Sequence, residues 1–122
     1  MKKILIIEDS KPTAQALSVM FNAIGYNVIS AYDSMQAVMY AQREKPDLVI
    51  LDIMMPAGGG INVAMKLSMS THTMNIPIIV FTAVDIDEVK NKTGLFNIRY
   101  FVEKPDTTLL LEHVKELLGD SK

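Results

Sequence analysis

Cysteine is absent from this chain. Its absence excludes disulfide staples, thiolate nucleophiles and thiolate zinc sites by inventory. Long apolar runs are missing as well, since no stretch approaches the eighteen or so uninterrupted apolar residues of a membrane span. Met1, Lys2 and Lys3 resemble the start of a secretory leader, but the apolar run that follows is interrupted at Glu8 and Asp9, so the segment does not read as one. The reading is of a cytoplasmic protein with no membrane insertion. Charge of one sign is also scarce: the net charge is −2, which offers no broad attraction to nucleic acid or an anionic membrane. Lys90, Lys92 and Arg99 look basic together, but Asp85, Asp87, Glu88 and Glu103 are interspersed among them. That is a solvated face rather than a nucleic-acid patch. The two histidines, His72 and His113, have no second histidine or cysteine at ligand spacing and read as solvent-exposed helix positions. There are no repeats and no low-complexity linkers.

What is present suits an ordinary globular domain, with 49% hydrophobic and 21% charged residues. A chain of 122 residues fits one domain, taken here as residues 1–122, that buries about two-thirds of its unfolded surface. Branched apolar runs at Ile4–Ile7, Leu48–Leu51, Ile76–Phe81 and Ile98–Val102 read as doubly buried strands, and Asn27–Ala31 as a fifth. Segments of helical period alternate with them. The first helix is expected after Ser10 as N-cap, with Pro12 in its opening turn and Gly25 at its end. Others are expected over Ser34–Glu44, Ile61–Ser70 and Asp85–Thr93, the last with only Ile86 and Val89 as clear apolar anchors. A fifth begins between Asp106 and Thr108 and ends at Gly119. This alternation predicts an α/β fold: a flavodoxin-like, doubly wound parallel sheet of five strands in the order 2-1-3-4-5, with five helices. Met35/Met39 and Met65/Met69, each pair a helical turn apart, read by default as core or edge packing, with a methionine-rich docking surface as the minor reading. Gly58–Gly60 lacks the spacing of a phosphate-binding loop and reads as a flexible turn.

A polar residue follows each of four apolar runs: Glu8 and Asp9, Asp52, Thr82, and Lys104. In a parallel sheet these emerge at one carboxyl edge, where open α/β sheets bind ligands. Three carboxylates in one pocket repel each other, so either their pKa values rise or a cation sits among them, and hard oxygens suit Mg²⁺ or Mn²⁺. Any one of these carboxylates alone would read as a partner of a helix dipole. Lys104 and Thr82 add a cation and a hydroxyl donor, which is what a phosphoryl group on a carboxylate would need.

The segments Ile7–Ser10, Pro46–Pro56, Phe81–Ala83 and Lys104–Pro105 together resemble the receiver domain of two-component response regulators, of the chemotaxis-regulator kind. The resemblance covers nearly the whole chain. It implies that Asp52 accepts a phosphoryl group from the phosphohistidine of a sensor histidine kinase or phosphotransfer protein. It also implies that Asp9, Asp52 and the main-chain carbonyl of Met54 hold Mg²⁺, with Glu8 reaching the metal through water. Thr82 and Lys104 would bind the phosphate oxygens, Lys104–Pro105 would be cis, and Phe101 would be the switch aromatic, where the family often carries tyrosine. Such a domain catalyses only its own phosphorylation and dephosphorylation, and signals through a downstream protein. Three departures stand out. Asn97-Ile98 replaces the usual Gly-Ala pair, although asparagine tolerates a left-handed backbone. Phe101 has no phenol, so aromatic switching would work by packing alone. The loop 57–60 is glycine-rich, its last glycine matching the family's common one. Met54 and Val84, two residues past Asp52 and Thr82, are both apolar and imply slow self-dephosphorylation. Two rivals remain: a receiver-like binding module that works without phosphorylation, and a metal-dependent phosphatase forming an aspartyl phosphate. The latter would want a general acid where Met54 stands.

Overall fold

Strands buried on both sides read as continuous runs of Val, Ile and Leu, and β-branched Ile and Val, stiff at χ1, together with leucine fill most of the central strands of this protein. The computed structural model describes residues 1–55, 59–93 and 96–119. Its strands are β1 (Lys3–Ile7), β2 (Asn27–Ala31), β3 (Leu48–Leu51), β4 (Ile78–Thr82) and β5 (Ile98–Glu103). Between and after them run α1 (Lys11–Ile24), α2 (Ser34–Glu44), α3 (Gly59–Met69), α4 (Ile86–Thr93) and α5 (Thr107–Leu118). All strand pairs are parallel, in the order β2-β1-β3-β4-β5, which is the doubly wound sheet that the alternation predicts. None of the helices is long and apolar enough to cross a membrane among the described residues.

Strand alternation divides the core in two. Leu5, Ile7, Val49, Leu51, Ile78 and Val80 face α2, α3 and α4. Ile4, Ile6, Leu48, Ile50, Ile79 and Phe81 face α1 and α5. Side-chain caps fix where the helices start: Ser10 accepts from the Thr13 amide, Asp33 from Gln36 and Asp106 from Leu109. Gly25 ends α1 at φ 112°, and Lys45 ends α2 at φ 47°. These caps place the β1–α1 and β5–α5 turns, and hence Asp9 and Lys104, at the carboxyl edge.

Several elements differ from expectation. β4 begins at Ile78 rather than Ile76 and runs on through Thr82, because Pro77 has no N–H to give a ladder; its carbonyl accepts from the Val49 amide at 3.0 Å. A bulge at Arg99 shifts the register, with Ile78 opposite Ile98 and Ile79 opposite Tyr100. Among the described residues Lys45 is the only non-glycine with positive φ, so Asn97 does not use a left-handed backbone. Instead its side-chain Nδ2 donates to the carbonyls of Met74 (3.2 Å) and Ile76 (3.0 Å), tying the entry of β5 to the entry of β4. α3 starts at Gly59, two residues before the expected Ile61, and Gly59 and Gly60 are buried in its first turn rather than forming a flexible turn. Ala57 and Gly58 lie outside the described residues. The methionine pairs are not core: Met35 and Met69 are strongly exposed, and Met39 and Met65 also face solvent. On α2 only Ala37 and Ala41 are buried, so the helix meets the sheet along a narrow stripe that leaves its flanking methionines outside. His113 is not solvent-exposed as expected but half-buried, stacked on Tyr100 at 3.8 Å between ring centroids. On α4, Val89 is buried and Ile86 only half-buried.

Candidate functional site

Parallel pairing carries Ile7 level with Leu51, and Leu51 level with Val80. The residues just beyond these, Glu8 with Asp9 and Asp52, together with Thr82, therefore share one edge. Lys104 joins them across the sheet, its amide bonded to the Thr82 carbonyl at 2.9 Å. The Lys104–Pro105 bond is cis, as expected.

The donors converge on one carboxylate. Asp52 is only 6% exposed. Its Oδ1 accepts from the Thr82 hydroxyl at 2.9 Å and from the Met54 amide at 2.9 Å, while its Oδ2 accepts from Lys104 Nζ at 2.9 Å. Lys104 Nζ also donates to Glu8 Oε1, and the other Glu8 oxygen accepts from the Ser10 amide at 3.1 Å. The Val84 amide donates to the Thr82 hydroxyl oxygen at 3.4 Å, which leaves the hydroxyl proton for Asp52.

Burial pushes the Glu8 carboxyl above its ordinary value, against the opposing bonds from Lys104 and the Ser10 amide. Burial by itself would lower Lys104, but its bonds to Glu8 and Asp52 together prevail and hold it above its ordinary value. Lys104 is thus a firmly protonated cation set between two carboxylates.

Carboxylate oxygens of Glu8, Asp9 and Asp52 lie within 4.8 Å of one another, with Asp9 exposed and the other two buried. Three hard, anionic oxygen donors open to water on one side fit Mg²⁺ and offer nothing to a soft metal. Close packing fixes the floor of the pocket. A Cβ at Gly60 would lie 2.5 Å from Ile53 Cα and 2.6 Å from the Asp52 carbonyl oxygen, so only glycine lets the start of α3 back onto the chain that carries Asp52.

The structure thus brings Glu8, Asp9, Asp52, Thr82 and Lys104 together. Met54 contributes its amide to Asp52 and turns its side chain to solvent. Phe101 is not in the pocket: half-buried on β5, it packs with the core under α2, α3 and α4. Lys90 Nζ of α4 lies 5.5 Å from the Phe101 ring centroid, a cation–π contact in addition to packing. Nothing in the sequence distinguishes Lys90 from the other charges on α4. Gly60 carried a signal, as the last of the three glycines Gly58–Gly60 and the one that matches the family's common glycine, but its steric role emerges only from the fold.

Residues 4–115 match the family model described as the response regulator receiver domain. Protein PilH of Pseudomonas aeruginosa is 32% identical over 120 residues, covering 98% of this chain and 99% of that protein. The chemotaxis protein CheY4 of Vibrio cholerae is 27% identical and superposes with a TM-score of 0.89, over 97% of this chain and 99% of that one. TrrA of Thermotoga maritima, a response regulator solved in complex with Mg²⁺ and BeF, is 29% identical with a TM-score of 0.84, over 97% of this chain and 100% of that one.

Proposed function

The chain belongs to the response regulator receiver domain family, whose members are signalling phospho-acceptors of two-component systems, and from that premise we propose that Asp52 is its phosphoryl acceptor. The observation that carries this reading is the convergence of Thr82, Lys104 and the Met54 amide on the Asp52 carboxylate. A carboxylate held only for stability needs no cation shared with a second buried acid. We take residues 1–122 as one receiver domain.

The donor is the phosphohistidine of a sensor histidine kinase or phosphotransfer protein. An Asp52 oxygen attacks phosphorus, the phosphorus–nitrogen bond breaks, and its electron pair returns to the imidazole, which takes a proton from solvent. An acyl phosphate on Asp52 results. Charge on the transferring group is met by the Lys104 ammonium, already aimed at the acceptor and protonated throughout the physiological range. Glu8, Asp9 and Asp52, with the Met54 carbonyl, would hold Mg²⁺, or Mn²⁺ in its place, and the ion would supply further positive charge beside the phosphoryl oxygens. The Thr82 hydroxyl, now spent on Asp52 Oδ1, would give its proton to a phosphoryl oxygen instead. That exchange pulls on the β4–α4 turn, and α4, held through Val89, shifts population between two states that a downstream protein reads.

Incubation with Mg²⁺ and acetyl phosphate followed by intact mass measurement tests the reading. One added phosphoryl group that Asp52→Asn abolishes is the expected result. No adduct would favour the phosphorylation-independent module, and continuous release of phosphate without an accumulating adduct would favour a phosphatase.

A further inference from the structure

Methionine side chains are ordinarily withdrawn from water, yet four of them lie outside on neighbouring helices. On α2, Met35 is 81% exposed and Met39 46%; on α3, Met65 is 38% and Met69 77% exposed. Between the two helices runs an open groove of about 750 Å³, lined by Met35, Val38, Met39, Gln42, Arg43 and Lys66. Met69, three residues beyond Lys66, extends the same face of α3. Apolar surface gathered in a groove of this kind marks an interaction site.

Charge identifies the partner. Arg43 and Lys66 line the groove and no carboxylate does, although the chain as a whole is net negative at −2. Arg43 is held in place, its guanidinium 4.9 Å from the Tyr40 ring centroid and its Nε bonded to Glu44 at 3.1 Å. Lys66 has no ion-pair partner among the described residues. Met35, Met39 and Arg43 succeed one another at intervals of one turn along α2, a run of about 12 Å. That length matches two turns of a second helix, read through apolar residues at i, i+4 and i+7.

We infer that the α2–α3 groove receives an amphipathic helix of a partner protein, its apolar side chains on the methionines and its carboxylates against Arg43 and Lys66. Flexible thioethers suit such a role because they repack around differing apolar shapes. A second copy of this chain docked by the same face is disfavoured, since two-fold symmetry sets the same cationic rim on both sides. The site is separate from the Asp52 pocket, so it stands whether or not Asp52 is phosphorylated.

Labelling the methionine methyl groups with carbon-13 gives each methionine its own resonance. The protein is titrated with a synthetic amphipathic helix of about 18 residues that bears leucines at i, i+4 and i+7 and glutamates at one end. A second helix with lysine in place of glutamate serves as control. The acidic helix should move the Met35 and Met39 signals, and the basic helix should not. Arg43→Glu with Lys66→Glu should weaken the acidic helix by about tenfold or more and admit the basic one. If that variant loses its native circular dichroism, Arg43→Gln with Lys66→Gln should show the same loss of the acidic helix. Equal affinity for both helices, movement of other methionines instead, the same movement on concentrating the protein alone, binding to phosphatidylserine vesicles in place of the peptide, or no movement at all would overturn the inference.

Discussion

Asp52 accepts bonds from a hydroxyl, an amide and an ammonium, so its function depends on the backbone behind it staying in place. Gly60 supports that backbone. Alanine there would press on Ile53 Cα and the Asp52 carbonyl, both main-chain atoms that cannot turn aside. Gly60→Ala should therefore cost about 1–3 kcal/mol in urea denaturation and slow the phosphorylation of Asp52 as well. Gly59→Ala is the control. Its Cβ would meet the Ser34 hydroxyl at 2.6 Å, a side chain that can rotate away, so its cost should be smaller and should shrink further in a Ser34→Ala background. Equal cost at both glycines would contradict this account. A second prediction concerns the lifetime of the phosphoryl group. Met54 and Val84 offer no polar atom from their side chains to an attacking water, whereas Met54→Asn and Val84→Glu do. Each substitution should shorten the half-life of the phosphorylated protein, followed by intact mass after the donor is removed; an unchanged half-life in both variants would refute it.

Helix α4 differs from its neighbours at the scale of elements. α5 buries Leu110 and Val114, and α3 buries Val63, Ala64 and Leu67. On α4 Val89 is buried, Ile86 is half-buried, and Lys90 caps Phe101 from outside. Few buried apolar groups mean low local stability. Amide hydrogen exchange should accordingly be fastest in α4 among the five helices, and Lys90→Ala should speed it further by removing the cation above Phe101. Protection of α4 equal to that of α5 would contradict this. The sparse burial of α4 was legible in the sequence, because Ile86 and Val89 are its only clear apolar anchors. Its contact with Phe101 was not, since a lysine poised over a ring depends on how far apart two elements settle. The methionines teach the same lesson. Spacing along α2 and α3 showed which residues share a face, but not that on α2 only Ala37 and Ala41 would be buried. Gly59 and Gly60 differ from the flexible turn expected because local preference assigns adjacent glycines to a turn, while close packing of Gly60 against Ile53 demands a glycine in the first turn of α3.

Across the whole molecule, one edge of the sheet collects residues from the ends of four strands: Glu8 and Asp9 after β1, Asp52 after β3, Thr82 ending β4 and Lys104 after β5. This much could be read beforehand, because a polar residue closing a branched apolar run has only one edge to reach in a parallel sheet. The bonds themselves required the fold. Lys104 spans Glu8 and Asp52 because strand order sets β1 beside β3, while the bond from the Lys104 amide to the Thr82 carbonyl holds the lysine at the same edge. The polar groups of this edge thus converge on Asp52, the proposed acceptor, and the most direct measurement tests that role chemically. After incubation with Mg²⁺ and acetyl phosphate, borohydride reduces an acyl phosphate to the alcohol, and peptide mass mapping locates the change. We predict homoserine at Asp52 and at no other acidic residue. Reduction at Asp9 or Glu8, or an unmodified Asp52 in a protein that has gained a phosphoryl group, would contradict the account.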